Sequence, residues 1–500
     1  MPFEPSVEAA ADPPARPLQD YIDEPPQWRD GTALPAAPLT SMQWRIWWLA
    51  AAGKFFEGLV VFMTGVAMPL MADEFDMNGV QHGIVGAASL FGILVGALAL
   101  GHLADQFGRK FMFIVEMVIF VLFLMLLSVS PNFGWTVFFL FGVGVALGCD
   151  YPTAHLVISE SIPTGARGRL VLGAFGFQAV GALCGTAVGY VVLSNVDGVG
   201  AWRWMYAVTI IPALLVTLGR LFVSESPHWL VSHGRTEEAE QEARRLLDRR
   251  PPYPKVVRLA RARHGHVSAR SLKTLFQPSH WRATVLASVP WFLQDLGTYG
   301  IGIFTPTILA MALGHAATHG HDLSDIVAND LLAVEGAALI DLLLIVGVAA
   351  AVMLADRAGR IPLQVLGFVG CAAGLLLASL SLDHAGWVQT LLLFAGFMLF
   401  NFMTNLGPNA QTYLIAGEVF PTHIRGLGAG FAAAFGKVGA VATAFLFPIL
   451  LEDIGTQTLL YLLAGTSVLG AVVTWLFRIE TSGVSLETVG HPDPAKALVD

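Results

Sequence analysis

The sequence predicts an all-α membrane protein, with twelve transmembrane helices arranged as two pseudo-symmetric six-helix bundles. Three observations carry that prediction. The chain is 55% hydrophobic and only 13% charged, with a mean hydropathy of +0.64, too apolar for a water-soluble chain of 500 residues. Twelve apolar runs are each long enough to cross the ~30 Å hydrocarbon core at ~1.5 Å per residue. Two short motifs recur with fixed spacing in the two halves of the chain. Isolated strands would leave backbone groups unpaired in lipid, and the runs lack the alternation of a barrel, so the spans must be helices.

Residues 1–44 are rich in Pro, Asp and Glu without periodicity and read as a disordered cytoplasmic tail. No basic segment with a short apolar core opens the chain, so no cleaved signal peptide is expected and the first span acts as the insertion signal. The runs fall at 46–71, 82–104, 111–129, 134–160, 170–193 and 203–222, then at 281–312, 330–354, 361–381, 386–416, 425–450 and 456–477. They divide the chain into a first bundle over 45–222, a cytoplasmic linker over 223–280, a second bundle over 281–478 and a cytoplasmic tail over 479–500. The fourth, seventh and tenth runs exceed a perpendicular crossing and are expected to tilt, break or extend beyond the bilayer.

Basic residues set the expected orientation. Arg109, Lys110, Arg167, Arg169, Arg357, Arg360 and Arg425, with the cluster in 235–282, follow the even-numbered spans, whereas the opposite loops hold almost nothing but Arg203. That asymmetry places both termini and the linker in the cytoplasm. The net charge of −9 lies largely in the N-terminal tail and suggests no nucleic acid. Cys149, Cys184 and Cys371 sit inside apolar runs without CxxC spacing, so neither a disulfide framework nor a zinc site is indicated. In the linker, Thr236 is expected to cap a helix with Glu237 and Glu238 in its first turn, Arg249 and Arg250 at its end, and Ala239, Ala243, Leu246 and Leu247 on its apolar face, lying along the membrane surface against both halves.

The first repeat is GHLADQFGRK (101–110) against LADRAGR (354–360), which aligns Asp105, Gly108 and Arg109 with Asp356, Gly359 and Arg360. The second, ExxPTxxRG, aligns Glu160 and Arg167 with Glu418 and Arg425. Pro and Gly end and restart helices at both turns, and Glu and Arg can pair across them. Charges at membrane helix ends are costly unless paired or exposed, which favours a cytoplasmic gate over simple turn signals.

These motifs, with Ser224-Glu225-Ser226-Pro227-His228-Trp229-Leu230, resemble the major facilitator superfamily, and within it the sugar, phosphate and organic-ion porters. The resemblance covers about residues 45–478. It implies two bundles rocking about a central cavity, with Gly101 allowing close approach of the second span to the eleventh and Asp105 facing a helix N-terminus and Arg109.

Chemistry is expected where ionisable groups lie in mid-span, at Lys54, Glu57, Glu116, Asp150, Asp295, Asp341 and Lys437. Trp291, Asp295 and Tyr299 repeat every four residues on one helix face, a WxxxDxxxY pattern similar to that of proton-coupled phosphate porters. Gly148-Cys149-Asp150-Tyr151-Pro152, Gln178, Gly407-Pro408-Asn409-Ala410 and Phe435-Gly436-Lys437-Val438-Gly439 resemble further pieces of the same group. The resemblance implies that Tyr151, Gln178, Trp291, Tyr299 and Asn409 supply neutral contacts for a small oxyanion and Lys437 a positive charge. Asp295, Glu57 and Asp150 are the candidates for proton coupling, because a carboxylate beside an anion is tolerated only when it takes up a proton. Lys437 could instead pair with Asp295 until substrate releases it. The first span departs from the phosphate pattern: Glu57 keeps one acidic position, the second is apolar, and Lys54 lies one turn away, where it could neutralise Glu57.

The expected function is therefore secondary active transport by alternating access, as proton-coupled symport of phosphate or a small organic anion across a bacterial inner membrane. A sugar or polyol porter is the rival within the class, and a transport-inactive membrane sensor the rival outside it. No P-loop or nucleophile elbow is present, so no enzyme activity is expected. The expected partners are a small solute, protons and lipid, with no nucleic acid, cofactor or metal, and the chain is expected to function as a monomer. His315, His319, His321 and Asp322 read as a polar loop rather than a metal site.

Overall fold

The computed structural model describes residues 16–25, 37–100, 103–248, 272–313, 323–421 and 424–481. Six long helices build the first half: α1 (Ser41–Phe75), α2 (Gly79–Leu100), α3 (Arg109–Ser128), α4 (Phe133–Ser161), α5 (Thr164–Leu193) and α6 (Trp202–Leu221). The second half repeats them as α7 (Trp281–Leu313), α8 (Leu323–Ala358), α9 (Arg360–Leu380) and α10 (Trp387–Leu406), then one continuous stretch, Arg425–Leu476. Gly455, at φ 77°, divides that stretch into α11 before it and α12 after it. The twelve spans fall where the hydrophobic runs place them. As expected of an overlong run, α10 breaks at Gly407 and resumes as Pro408–Glu418, since Pro408 cannot donate to the preceding turn.

Helix starts follow local chemistry. Thr40 and Gln43 form a reciprocal capping box on α1, and Asn132 accepts from the Trp135 amide to cap α4. Gly108 and Gly359 occupy equivalent positions before α3 and α9 with φ of 105° and 87°, a conformation that only glycine adopts cheaply. Phe111, Val118, Leu122 and Met125 leave one face of α3 apolar and exposed, as lipid requires.

The halves meet along α1 against α7, α2 against α11 and α5 against α8. On the face opposite the basic loops they approach to backbone contact. A Cβ added to Gly65 would lie 2.2 Å from the Ile303 carbonyl oxygen, and one added to Gly83 would lie 2.3 Å from that of Phe445. Toward the basic face, the cross-seam contacts include an aromatic pair: the rings of Phe175 and Tyr413 stack with centroids 4.6 Å apart.

Two expectations are corrected. The N-terminal tail is not wholly without structure: Leu18–Asp23 is helical and buries Leu18, Tyr21 and Ile22 against Ile46 and Val157 of the first half and Trp229 of the linker. The Asp23 carboxylate accepts from the Thr164 amide (2.7 Å) and hydroxyl (2.8 Å), which supplies an N-terminal cap for α5 from a distant part of the chain. The linker helix runs Thr236–Leu246 with Arg235, not Thr236, as its cap residue. Its expected apolar face is buried, but among the described residues against the first half and the N-terminal helix, and Thr40 Oγ1 donates to the Leu246 carbonyl at 2.6 Å. Arg249 and Arg250 lie outside the described residues.

Candidate functional site

The central site is assembled from both halves. Lys54 and Glu57 sit three residues apart on one face of α1, so their side chains meet, with Nζ 2.9 Å from Glu57 Oε2. The other carboxylate oxygen, Oε1, faces the second half. It accepts from Tyr299 OH at 3.1 Å and Gln178 Nε2 at 3.3 Å, and it lies 3.4 Å from Lys437 Nζ. Lys437 also donates to Tyr299 OH at 2.5 Å and stands 3.6 Å from Asp295 Oδ2. Asp295 and Tyr299 meet there because they are one turn apart on α7, as the WxxxDxxxY spacing predicts. Asp295, Glu57, Lys437 and Lys54 are all buried, at 1%, 2%, 3% and 5% exposure.

Two lysines and two carboxylates therefore cancel at the seam between the bundles, with Glu57 as the group that ties α1 to α7 and α11. Both alternatives for the lysines occur together: Lys54 neutralises Glu57, and Lys437 pairs with Asp295. The site is closed toward the basic face by Phe175 and Tyr413, which with Lys54 line a small cavity. Trp291 sets its indole edge-on to Tyr413, with centroids 6.1 Å apart, and underlies that lid.

Other expected contacts are committed elsewhere. Asn401 and Asn405 donate to the Ile340 and Leu344 carbonyls of α8 at 3.3 and 3.0 Å, and Asn409 donates to Asn405 Oδ1 at 2.5 Å. The asparagine ladder thus stitches α10 to α8. The Tyr151 side chain lies outside the described residues.

Asp150 is not part of the central site. It belongs to a second buried cluster inside the first half, organised by Arg220, which sequence reasoning missed because it lies at the end of the sixth run and reads as a charge leaving the membrane. Arg220 is instead fully buried. Its Nη1 donates to Glu116 Oε1 (2.5 Å) and the Phe113 carbonyl (2.7 Å), and its Nη2 to Asp150 Oδ1 (2.8 Å) and the Leu49 carbonyl (3.1 Å). The guanidinium lies 3.5 Å from the Phe113 ring centroid. Its position could have been inferred from Glu116 and Asp150, two mid-span acids with no basic residue in their own helices at that depth.

On the basic face the two halves repeat one construction. Arg109 pairs with Glu160 at 3.3 Å and Arg360 with Glu418 at 3.2 Å. Ser226 Oγ donates to Glu160 at 2.5 Å, as Thr481 Oγ1 does to Glu418 at 2.6 Å. Glu225 accepts from the Lys110 amide at 3.0 Å, as Glu480 does from the Arg360 and Ile361 amides, both at 3.0 Å. Burial pushes the Glu225 carboxyl above its usual range, against the pull of its backbone donors and Arg109. Glu160 is therefore paired to Arg109 and Ser226 rather than across its own turn to Arg167, which is half-buried at the start of α5. Each pair joins helices of a single half. Glu480 and Thr481 were missed because Ile479-Glu480-Thr481 is a shortened counterpart of Ser224-Glu225-Ser226. Gly101, the side chains of Asp105, Asp356 and Arg425, and the His315–Asp322 loop lie outside the described residues.

Two helical halves meeting around a buried, charge-balanced centre are the architecture expected of a membrane transporter. The chain matches the family model for sugar (and other) transporters over residues 43–491. It is 32% identical to the inner membrane metabolite transport protein YgcS of Escherichia coli, covering 91% of this chain and 95% of that one. It is 27% identical to a Schizosaccharomyces pombe protein carrying the provisional name of inorganic phosphate transporter, covering 89% and 87%. Its fold is similar to the partially occluded inward-open xylose transporter XylE of E. coli, at a TM-score of 0.71 and 20% identity over 89% of this chain and all of that one. The chain belongs to the sugar (and other) transporter family of the major facilitator superfamily.

Proposed function

We propose that the protein couples protons to the uptake of phosphate or a small organic anion across a bacterial inner membrane, with the basic face in the cytoplasm. The observation that carries this reading is Lys437, held between Glu57 of the first half and Asp295 of the second. Because the central charges already balance, an arriving anion is uncompensated unless a carboxylate takes up a proton. Protonation of Asp295 frees Lys437 for the anion, and Tyr299, Gln178 and Trp291 complete the contacts. Proton uptake and anion binding then favour one another, as symport requires. The relative named for phosphate and the inner-membrane relative from E. coli are consistent with that direction.

Asp150 fits a supporting proton position. Glu116 Oε2 and Asp150 Oδ2 have no hydrogen-bond donor among the described residues, and one proton shared between them would neutralise the cluster around Arg220. The Arg109–Glu160 and Arg360–Glu418 pairs keep each bundle rigid as it rocks and restrict which states the basic face can adopt. A sugar porter is less well supported: the asparagines suited to hydroxyls are bound to α8, and the Ser226-Pro227-His228-Trp229-Leu230 stretch serves as a helix anchor whatever the solute.

The test is uptake into proteoliposomes under an imposed pH gradient, comparing phosphate, carboxylates and sugars, with Asp295→Asn alongside. Gradient-driven accumulation of an anion that Asp295→Asn abolishes supports the proposal. Sugar uptake that anions do not inhibit would overturn it.

A further inference from the structure

Asp341 is a buried carboxylate that the central site does not use. It is 3% exposed in α8 and reaches across the seam to α5, where its Oδ2 lies 2.9 Å from Thr186 Oγ1. Its Oδ1 lies 3.4 Å from Asn401 Nδ2 of its own half. Thr186 Oγ1 also stands 3.1 Å from the Ala182 carbonyl one turn back. A hydroxyl has a single proton to donate. When Thr186 donates to Ala182, its oxygen is left as an acceptor facing Asp341, and the acid form of Asp341 is the donor that fits. Asn401 then donates to the carbonyl oxygen of that acid, and both oxygens of Asp341 are satisfied without charge. Ionised, Asp341 would rest in the bilayer interior on two neutral donors, a strongly disfavoured state.

Other ionisable groups do not supply the missing charge. Apart from charges toward the helix ends (Arg167 and Arg169 of α5, Arg282 of α7, Arg45, Asp73 and Glu74 of α1, Arg360 of α9, and Asp325, Asp330, Asp356 and Arg357 of α8), the titratable residues on the packed helices are Cys184 and Tyr190 from α5, Asp295 and Tyr299 from α7, Lys54 and Glu57 from α1, Cys371 from α9 and Glu335 in α8 itself. Helix α10 carries none. Lys54 and Lys437 pair with Glu57 and Asp295, and among the described residues no cation forms an ion pair with Asp341. Thr186 is two turns beyond Gln178 along α5, or ~12 Å, on the way from the central site to the face where Gly65 and Gly83 close the seam.

We infer that Asp341 is a second proton-binding site, which takes a proton from the water on that face as the seam closes, and whose O–H donates to Thr186 and so holds α8 against α5 in the closed state. The proton leaves to the same water when the seam parts. The inference uses the transporter reading only for the motion of the seam and is independent of the solute.

The test is pH-difference infrared spectroscopy of the full chain in lipid nanodiscs. The native protein should show a protonated carboxylic acid at neutral pH that Asp341→Asn removes, that Asp295→Asn leaves in place, and whose frequency Thr186→Val shifts without eliminating it. An unchanged acid signal in Asp341→Asn would overturn the inference. A second readout uses spin labels at positions 195 and 387, at the outer ends of α5 and α10, with the three native cysteines replaced. The open population should rise with pH in the native background and depend more weakly on pH in Asp341→Asn, whose amide can donate to Thr186 at any pH. Equal pH dependence in the two would also overturn it. Neither measurement needs a transported solute, so a wrong anion assignment would leave both readable.

Discussion

The two buried charge clusters differ in how they are tied together. Around Arg220 the ion-pair contacts are 2.5 and 2.8 Å, the guanidinium also binds two backbone carbonyls, and every partner belongs to the first half. Around Lys437 the ion-pair contacts are longer, 3.4 Å to Glu57 of the first half and 3.6 Å to Asp295 of its own half, so the first of them bridges the seam. Both are cut off from water, so the contrast is not one of burial. Short, backbone-anchored pairing inside one bundle resists separation, whereas under the proposed function the longer pairing across the seam is the one exchanged for a proton and an anion. On that proposal the first cluster holds a bundle together and the second comes apart.

The largest expected effect breaks the first cluster. Arg220→Met removes the cation that pairs with both buried carboxylates, and losing one member of a buried network costs roughly 3–5 kcal/mol. Thermal unfolding in detergent should show the loss, and adding Glu116→Gln and Asp150→Asn should restore most of it. A single variant as stable as the native chain would mean that the cluster does not hold the bundle.

Lys437→Met should separate stability from function. Its partners keep other donors, Lys54 for Glu57 and Gln294 near Asp295, so the expected loss of stability is smaller, about 1–3 kcal/mol. Anion uptake should nonetheless disappear. Retained uptake with a large stability loss would reverse the roles assigned to the two clusters.

How far this contrast was legible in the sequence depends on which link carries it. The spans and the two-half organisation follow from hydrophobic run length and repeated turns, which are local. Asp295, Tyr299 and Lys437 stand out because mid-span charge and four-residue spacing are also local signals. Arg220 was hidden because a charge near the end of a run looks solvated until the fold bends α3 and α4 around it. The helix Leu18–Asp23 was hidden because six residues in a Pro-rich segment have no periodicity to read, and it forms only against the surface that Trp229 and Ile46 supply. Pairing across turns failed for Glu160 because helix ends distant in sequence were nearer in space than Arg167.

The seam itself gives the next prediction. Gly65→Val places a side chain against the Ile303 backbone where no flexible group can yield, so the closed form of that face is disfavoured. Spin-label distances across positions 195 and 387 should move toward the open form, while thermal stability changes less than in Arg220→Met. An unaltered distance distribution would show that the halves do not close by backbone approach at Gly65.

The smallest effect is expected from Asp23→Ala, and it asks which side of the contrast the N-terminal helix belongs to. Asp23 caps α5, and α5 carries both Gln178 of the central site and Thr186 at the seam. Removing a capping carboxylate costs ~0.5–2 kcal/mol. Since, among the described residues, Leu18, Tyr21 and Ile22 pack on the first half and the linker, the cap is expected to behave as part of the held bundle: a small fall in unfolding temperature, faster proteolysis near residue 18 and unchanged uptake. A rise in uptake rate without loss of stability would instead assign the N-terminal helix to the moving seam, where releasing α5 lets the bundles rock more freely.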